Sequence, residues 1–172
     1  MKSILKMCLA ASVLFAACTK KGESGIDAIN ESDRSFAANT ARLYVTNIAL
    51  GHVAFDHGTD TNVIRLAENM MLISTGAYNE LIEIGRSKAM AMPNSMNDEQ
   101  EALEASLKAM PYGHQLDSAF LSMILAQQHT LETEYTTLFN NGNNLTLKDH
   151  AERYKDTFNT YHQYTDSLAD LY

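Results

Sequence analysis

The sequence predicts an all-α protein, an up-down four-helix bundle with a short extra helix between the second and third long helices. Three observations point there. Apolar and small residues recur at intervals of three and four in four long stretches, the spacing of one helix face. The 172 residues contain two prolines, Pro93 and Pro111, and neither falls inside those stretches. The turns His57-Gly58-Thr59-Asp60 and Asn140-Asn141-Gly142-Asn143-Asn144 are short, and helices joined by short turns pack antiparallel.

The chain opens on a segment of a different kind. Lys2 and Lys6 precede an apolar run from Met7 to Ala17 that ends in Phe15-Ala16-Ala17-Cys18. The basic start, the short apolar run and the small residues mark an export signal, because the run is too short to span a bilayer. The cysteine directly after the cut makes the product a lipoprotein with Cys18 as the lipid-attachment residue. The alternative is an ordinary secretory signal that leaves Cys18 as a free thiol. Residues 1–18 are therefore read as a signal, 19–30 as a polar, glycine-containing flexible tether, and 31–172 as the bundle domain.

Within the domain, Phe36, Thr40, Leu43, Asn47, Gly51 and Ala54 share one face of a first helix over about 31–57. Val63, Ala67, Met70, Ser74, Ala77, Leu81, Ile84 and Lys88 form the stripe of a second, running to about Met90. Asn97 followed by Gln100 is a capping pair for the short helix, which Pro111-Tyr112-Gly113 ends. Leu121, Ile124, Gln128, Leu131, Tyr135 and Leu138 mark the next long helix, about 114–140. Thr146 is read as the cap of the last one, whose stripe is Leu147, Ala151, Tyr154, Phe158, Tyr161, Thr165 and Leu168. No internal sequence repeat is apparent.

Composition narrows the function classes. The signal carries two of the thirteen basic residues and none of the twenty-one acidic ones, so the 154 mature residues carry eleven positive against twenty-one negative charges, a net −10. So acidic a chain offers nothing to nucleic acid or anionic headgroups, and the membrane is reached through lipid alone. Cys8 leaves with the signal and Cys18 is acylated, so no disulfide forms within one mature chain. No Gly-x-Ser-x-Gly elbow, free nucleophilic cysteine or phosphate-binding glycine loop occurs, which predicts a non-enzymatic protein without cofactor.

With the helices placed, Asp33-x-x-Phe36, Leu50-Gly51-His52-Val53-Ala54, Met70, Asn79-Glu80-Leu81, Asp117-x-x-Phe120 and His162 fall in a familiar order. In these the chain resembles a divergent member of the exported bacterial family known as domain of unknown function 4142, over about residues 32–170. The resemblance implies a ferritin-like fold and a place in the cell envelope. In the family a glutamate is usual near Asn47, and histidines near Ser74 and near Gln128 or His129; His162 is the ligand-type residue this chain keeps.

Asn47, Ser74, Gln128 and His162 each lie near the middle of a long helix, so an antiparallel bundle brings them to one level as a core polar layer. A di-iron centre at that level needs several carboxylates and Glu-x-x-His pairs; the chain has none, only the reversed His129-x-x-Glu132. The layer is therefore read as neutral hydrogen bonding that fixes helix register. Met90, Met92 and Met96 form the main chemical alternative, because thioethers suit Cu(I); methionine filling core gaps is the competing account. His52, His57, His114 and His150 show no mutual ligand spacing and are read as solvated or capping. Tyr135, Tyr154, Tyr161 and Tyr164 are candidates to line a pocket or to fill the core, and Asp98-Glu99-Gln100-Glu101 suits a helix start. The reading is a lipid-anchored outer-membrane protein facing the periplasm, with a structural, stress-related or partner-binding role. If Gln128 and His162 are buried partners, Gln128→Leu costs about 1–3 kcal/mol.

Overall fold

The computed structural model of the protein describes residues 27–172. Its elements are α1 (Glu31–His57), α2 (Thr61–Ser87), α3 (Asp98–Lys108), α4 (His114–Asn141) and α5 (Leu145–Ala169). The stripes read from the sequence are the buried faces of the long helices, with Tyr154 and Tyr161 half-buried and the terminal Lys88 outside the core. One contiguous core joins them, with Tyr44, Tyr135, Phe36, Phe120, Leu50 and Leu66 among its largest fully enclosed side chains.

Two hairpins, α1–α2 and α4–α5, pack together through α1 against α4 and α2 against α5. Asp117 at the start of α4 hydrogen-bonds to the turn that ends α1, and Asp33 at the start of α1 bonds to the turn that ends α4. Every neighbouring pair of long helices is therefore antiparallel. The connection from α2 to α4 crosses from one end of the bundle to the other, and α3 packs on α1 and α4 along that crossing. Two hairpins joined by one long crossover make this an up-down bundle of the ferritin-like type.

The cap positions follow from side-chain chemistry. Asn30 and Asp33 form a reciprocal capping box at α1, as do Asn97 and Gln100 at α3. Two boundaries differ from the sequence reading. Asn144, not Thr146, caps α5, through a bond from the Leu147 N–H; two cap-competent residues stood two positions apart, and the one whose backbone N–H is tied to Asp33 took the place. The second helix stops at Ser87 instead of Met90, because Ala89 takes a left-handed φ of 52° and Met90 N–H turns back to the Gly85 carbonyl, a Schellman-type end.

Residues 27–30, read from sequence as part of the tether, are held to the bundle. Asp27 accepts bonds from the Leu145 N–H and the Asn144 side chain, and pairs with Lys88. The Leu145 N–H and then Lys88 hold its carboxyl below the usual aspartate range. Ile29 packs against the core.

The fold also reveals an internal repeat that the sequence reading missed. Asp33 and Asp117, Phe36 and Phe120, Gly58 and Gly142, and the caps Asp60 and Asn144 are each separated by 84 positions. In each half the buried aspartate reaches across to the other half's turn. Asp33 accepts from Asn30 N–H at 2.8 Å and from Asn143 and Asn144 N–H at 3.1 Å each. Asp117 accepts from Thr59 N–H at 3.1 Å, Thr59 Oγ1 at 2.8 Å and Asp60 N–H at 3.0 Å. The turn glycines lie beneath them: a Cβ on Gly142 would stand 2.6 Å from Asp33 Oδ1, and one on Gly58 3.0 Å from Asp117 Oδ1. The repeat escaped notice because it is confined to a few end residues while the stripes between them diverged.

Each carboxylate satisfies several otherwise orphaned turn amides in a fully buried place. Asp33→Ala and Asp117→Ala are each expected to lower stability by about 2–4 kcal/mol, the cost of stranding those donors. Urea unfolding of each variant checks this, and a loss below ~1 kcal/mol for both would show that the turns hold without them.

Candidate functional site

The long helices of both halves contribute to a buried polar chain that is centred on α1 and α5. Tyr44 Oη lies 2.7 Å from Tyr135 Oη and 3.2 Å from His150 Nε2, and His150 Nδ1 lies 2.9 Å from Glu80 Oε1. Arg153 closes an ion pair on the same Glu80 oxygen, and Tyr154 donates to Oε2 at 3.5 Å. Tyr44 and His150 are fully buried, and Tyr135 nearly so. Phe158 stacks on Tyr44 with ring centroids 5.6 Å apart.

One proton arrangement satisfies the chain: Tyr135 donates to Tyr44, Tyr44 to Nε2 of a neutral His150, and Nδ1–H to the Glu80 carboxylate. The electrostatics agree. Burial lowers the His150 pKa below the ordinary histidine value, against the opposing pull of Glu80. At Glu80 burial pushes upward, yet the Arg153 and His150 hydrogen bonds outweigh it and hold the carboxylate below its usual range. Burial drives the Tyr44 and Tyr135 hydroxyls well above theirs. Glu80 is therefore ionised, His150 neutral and both tyrosines protonated at neutral pH.

His150 thus corrects its reading as a solvated or capping side chain. Its place one turn into α5 pointed to a helix end, but α5 starts under Asp33 and Asp27, and that start carries His150 into the core. His52 and His114 are exposed, and His57 is half-buried, stacked on Tyr112 at 4.4 Å. Tyr135 and Tyr154 belong to the polar chain, Tyr161 packs on the core and Tyr164 is exposed.

The expected hydrogen-bonded central layer does not form among these four residues. Asn47, Ser74 and Gln128 are buried, whereas His162 is half-buried at a cavity rim. The three do not bond to one another. Asn47 Oδ1 and Nδ2, Ser74 Oγ and Gln128 Oε1 have no partner among the described residues. Asparagine and serine are too short to reach across the bundle, and the longer glutamine finds Thr165 instead: Gln128 Nε2 donates to Thr165 Oγ1 at 3.4 Å and approaches Met70 Sδ at 3.6 Å. Thr165 Oγ1 gives its own proton to the Tyr161 carbonyl at 2.7 Å, so it accepts from Gln128. Sequence placed Thr165 on the stripe without assigning it this role.

The metal alternatives fare as follows. Met90 is buried in the core, and Met92 packs on Gly85 and the core cluster, so two of the three thioethers are engaged in packing. Among the described residues no three His, Cys, Asp or Glu side chains converge as a metal ion requires. His129 is exposed and does not line the cavity that Glu132 and His162 share. Cys18 lies outside the described residues.

Fold and interior together define a ferritin-like helical bundle whose core polar groups are tyrosine, histidine and carboxamide instead of a carboxylate cage. The chain matches the family described as "Domain of unknown function (DUF4142)" over residues 19–168, and it belongs to that family. Among solved structures it is similar to a DUF305 fragment from Deinococcus radiodurans, with a TM-score of 0.74, 11% identity, and coverage of 84% of this chain and 99% of that one. That likeness concerns the fold. No curated protein matches the chain.

Two outcomes follow. Because His150 has a lowered pKa when folded, its contribution is complete above the unfolded value of 6.5 and is lost as pH falls below it; Glu80 adds the same sign at lower pH. The urea midpoint is expected to fall between pH 7 and 5, and His150→Gln to flatten that fall. A wild-type midpoint that rises on acidification would show that His150 is charged in the fold. The Gln128–His162 expectation also reverses: Gln128→Leu removes an orphaned acceptor and strands no donor, so stability should be unchanged or rise by up to ~1 kcal/mol. A drop well beyond ~1 kcal/mol in urea unfolding, more than loss of the Thr165 bond accounts for, would show that the Gln128 oxygen is satisfied in the fold.

Proposed function

We propose that the protein is a lipid-anchored, non-enzymatic component of the bacterial cell envelope, attached to the outer membrane through acyl chains on Cys18 and facing the periplasm. The reading rests on the signal-type segment that ends in Phe15-Ala16-Ala17-Cys18. Thr19 favours the outer membrane, because an aspartate that would favour retention at the inner one is absent there. Among the described residues no helix is long and apolar enough to cross a membrane.

An orientation goes with this reading. Asp27 is fixed at the end of the bundle formed by the start of α1, the turn into α5 and the end of α2. Cys18 precedes it by nine residues, which span at most about 30 Å. The anchor thus keeps that end close to the lipid and turns the opposite end, with Tyr112, His57, His114 and Tyr172, outward. The Tyr44–His150–Glu80 chain supports a structural role for the interior, since its donors and acceptors are spent on one another. In this reading the domain presents a fixed surface to an envelope partner and performs no chemistry on it.

Metabolic labelling of the full chain with a fatty acid tests the anchor. The wild type is expected to take up label and to partition into detergent, and Cys18→Ser to do neither. An unlabelled, water-soluble wild type would leave the ordinary secretory signal as the correct reading.

A further inference from the structure

Within the buried chain, Tyr44 has a proton donor on one side and a base on the other. Its Oη accepts from Tyr135 at 2.7 Å and stands 3.2 Å from His150 Nε2, within the reach of a general base. Glu80 engages His150 Nδ1–H at 2.9 Å, which leaves Nε2 as the acceptor of the ring. Burial opposes the charge on Glu80, but Arg153 and His150 hold the carboxylate ionised. The line thus runs from a fully enclosed phenol, through a neutral imidazole, to a half-buried anion.

Other tyrosine hydroxyls have poorer acceptors. Tyr78 donates to the Pro93 carbonyl at 3.3 Å, Tyr135 to Tyr44 itself, and Tyr154 to Glu80 Oε2 at 3.5 Å. A carbonyl or hydroxyl cannot keep a proton at neutral pH, nor can a carboxylate held below its usual range; an imidazole facing an anion can. A cluster of rings joins Tyr44 to the outside. Between centroids, Phe158 lies 5.6 Å from Tyr44 and 6.5 Å from Tyr154, and Tyr154 lies 4.9 Å from His150. Tyr154 is half-buried, so the edge of the cluster is open while Tyr44 is sealed.

We propose that Tyr44 is a redox-active tyrosine, a one-electron store for oxygen-centred radicals of the peroxyl class that reach the surface at Tyr154. The peroxyl radical takes one electron and becomes the hydroperoxide anion. Tyr44 supplies that electron through the ring cluster, breaks its O–H bond and passes the proton to His150 Nε2. The products within the protein are a neutral phenoxyl at Tyr44 and an imidazolium at His150 paired with Glu80. Without the base, oxidation would leave an unpaired positive charge in the core, at a high cost. With it, the charge appears on a ring that already faces a carboxylate. Tyr135 goes on donating to the phenoxyl oxygen, and enclosure keeps the radical from meeting a second tyrosine. The bonds that leave the chain nothing to offer a ligand thus give it a path for a proton. The event occurs once per molecule, without turnover, and is independent of the lipid anchor and of any envelope partner.

The test is photo-oxidation of the full-length protein in detergent, with a ruthenium tris-bipyridine sensitiser and persulfate as the one-electron oxidant. Absorption and electron paramagnetic resonance are the readouts. A tyrosyl signal that outlives those of surface tyrosines is expected in the wild type and absent from Tyr44→Phe. Labelling histidine with heavy nitrogen should alter the nitrogen coupling of that signal, a measurement on the unsubstituted protein that stands even where a variant fails to fold. His150→Gln keeps an acceptor without a base and should form the Tyr44 signal about a hundredfold more slowly, the lower end for a positioned base. Tyr135→Phe keeps the base and should form the signal at the wild-type rate while shortening its life. Absence of a long-lived signal in the wild type, its persistence in folded Tyr44→Phe, no histidine nitrogen coupling, or an unchanged rate in folded His150→Gln would each overturn the assignment.

Discussion

The arrangement depends on two buried carboxylates at opposite ends of the bundle. Asp33 and Asp117 each sit one turn into the first helix of a hairpin and accept the amides of the other hairpin's turn. A carboxylate in a fully enclosed place is tolerated only with several charge-assisted bonds, so this geometry admits little slippage. Because the clasp is reciprocal, it fixes the register of the two hairpins at both ends at once. The glycines beneath the carboxylates extend the constraint to the backbone, where any Cβ would crowd the acceptor.

That register decides which side chains meet in the middle. With the ends fixed, Tyr44 of α1 comes opposite Tyr135 of α4 and His150 of α5, and Glu80 of α2 closes the line from the surface side. The interior then divides into two kinds of polar group. Those in the tyrosine–histidine–glutamate chain satisfy one another and stiffen the fold. Asn47, Ser74 and the Gln128 oxygen are enclosed without that compensation, a burden of about 1–3 kcal/mol for each unmet group. Gln128 differs from the other two in donating through Nε2 to Thr165 and in lining the cavity between α4 and α5.

The centre of the ferritin-like outline differs from a di-metal bundle in the residues it presents. Where a di-metal bundle sets carboxylates on all four helices, this chain presents Asn47, Ser74 and Gln128, and turns His162 to the rim of a side cavity. The centre of the scaffold is thus built of neutral amide and hydroxyl groups. This agrees with family membership that specifies architecture and leaves activity open.

Much of the fold was legible in the sequence because helical periodicity is local: each stripe needs only its own residues to declare which face is apolar. The long helices, the short one with its Asn97–Gln100 cap, and the polar level at Asn47, Ser74 and Gln128 were readable in this way. The 84-residue repeat was present in the sequence too, but its few matching positions carry weight only once Asp33 and Asp117 are seen to exchange turns. The cap at Asn144, the burial of His150 and the choice of Thr165 over His162 as partner of Gln128 were decided by tertiary structure alone. Each depends on the rotation and axial shift of one helix against another, set by hydrogen bonds between residues some sixty to one hundred and ten positions apart, and local spacing holds no record of it.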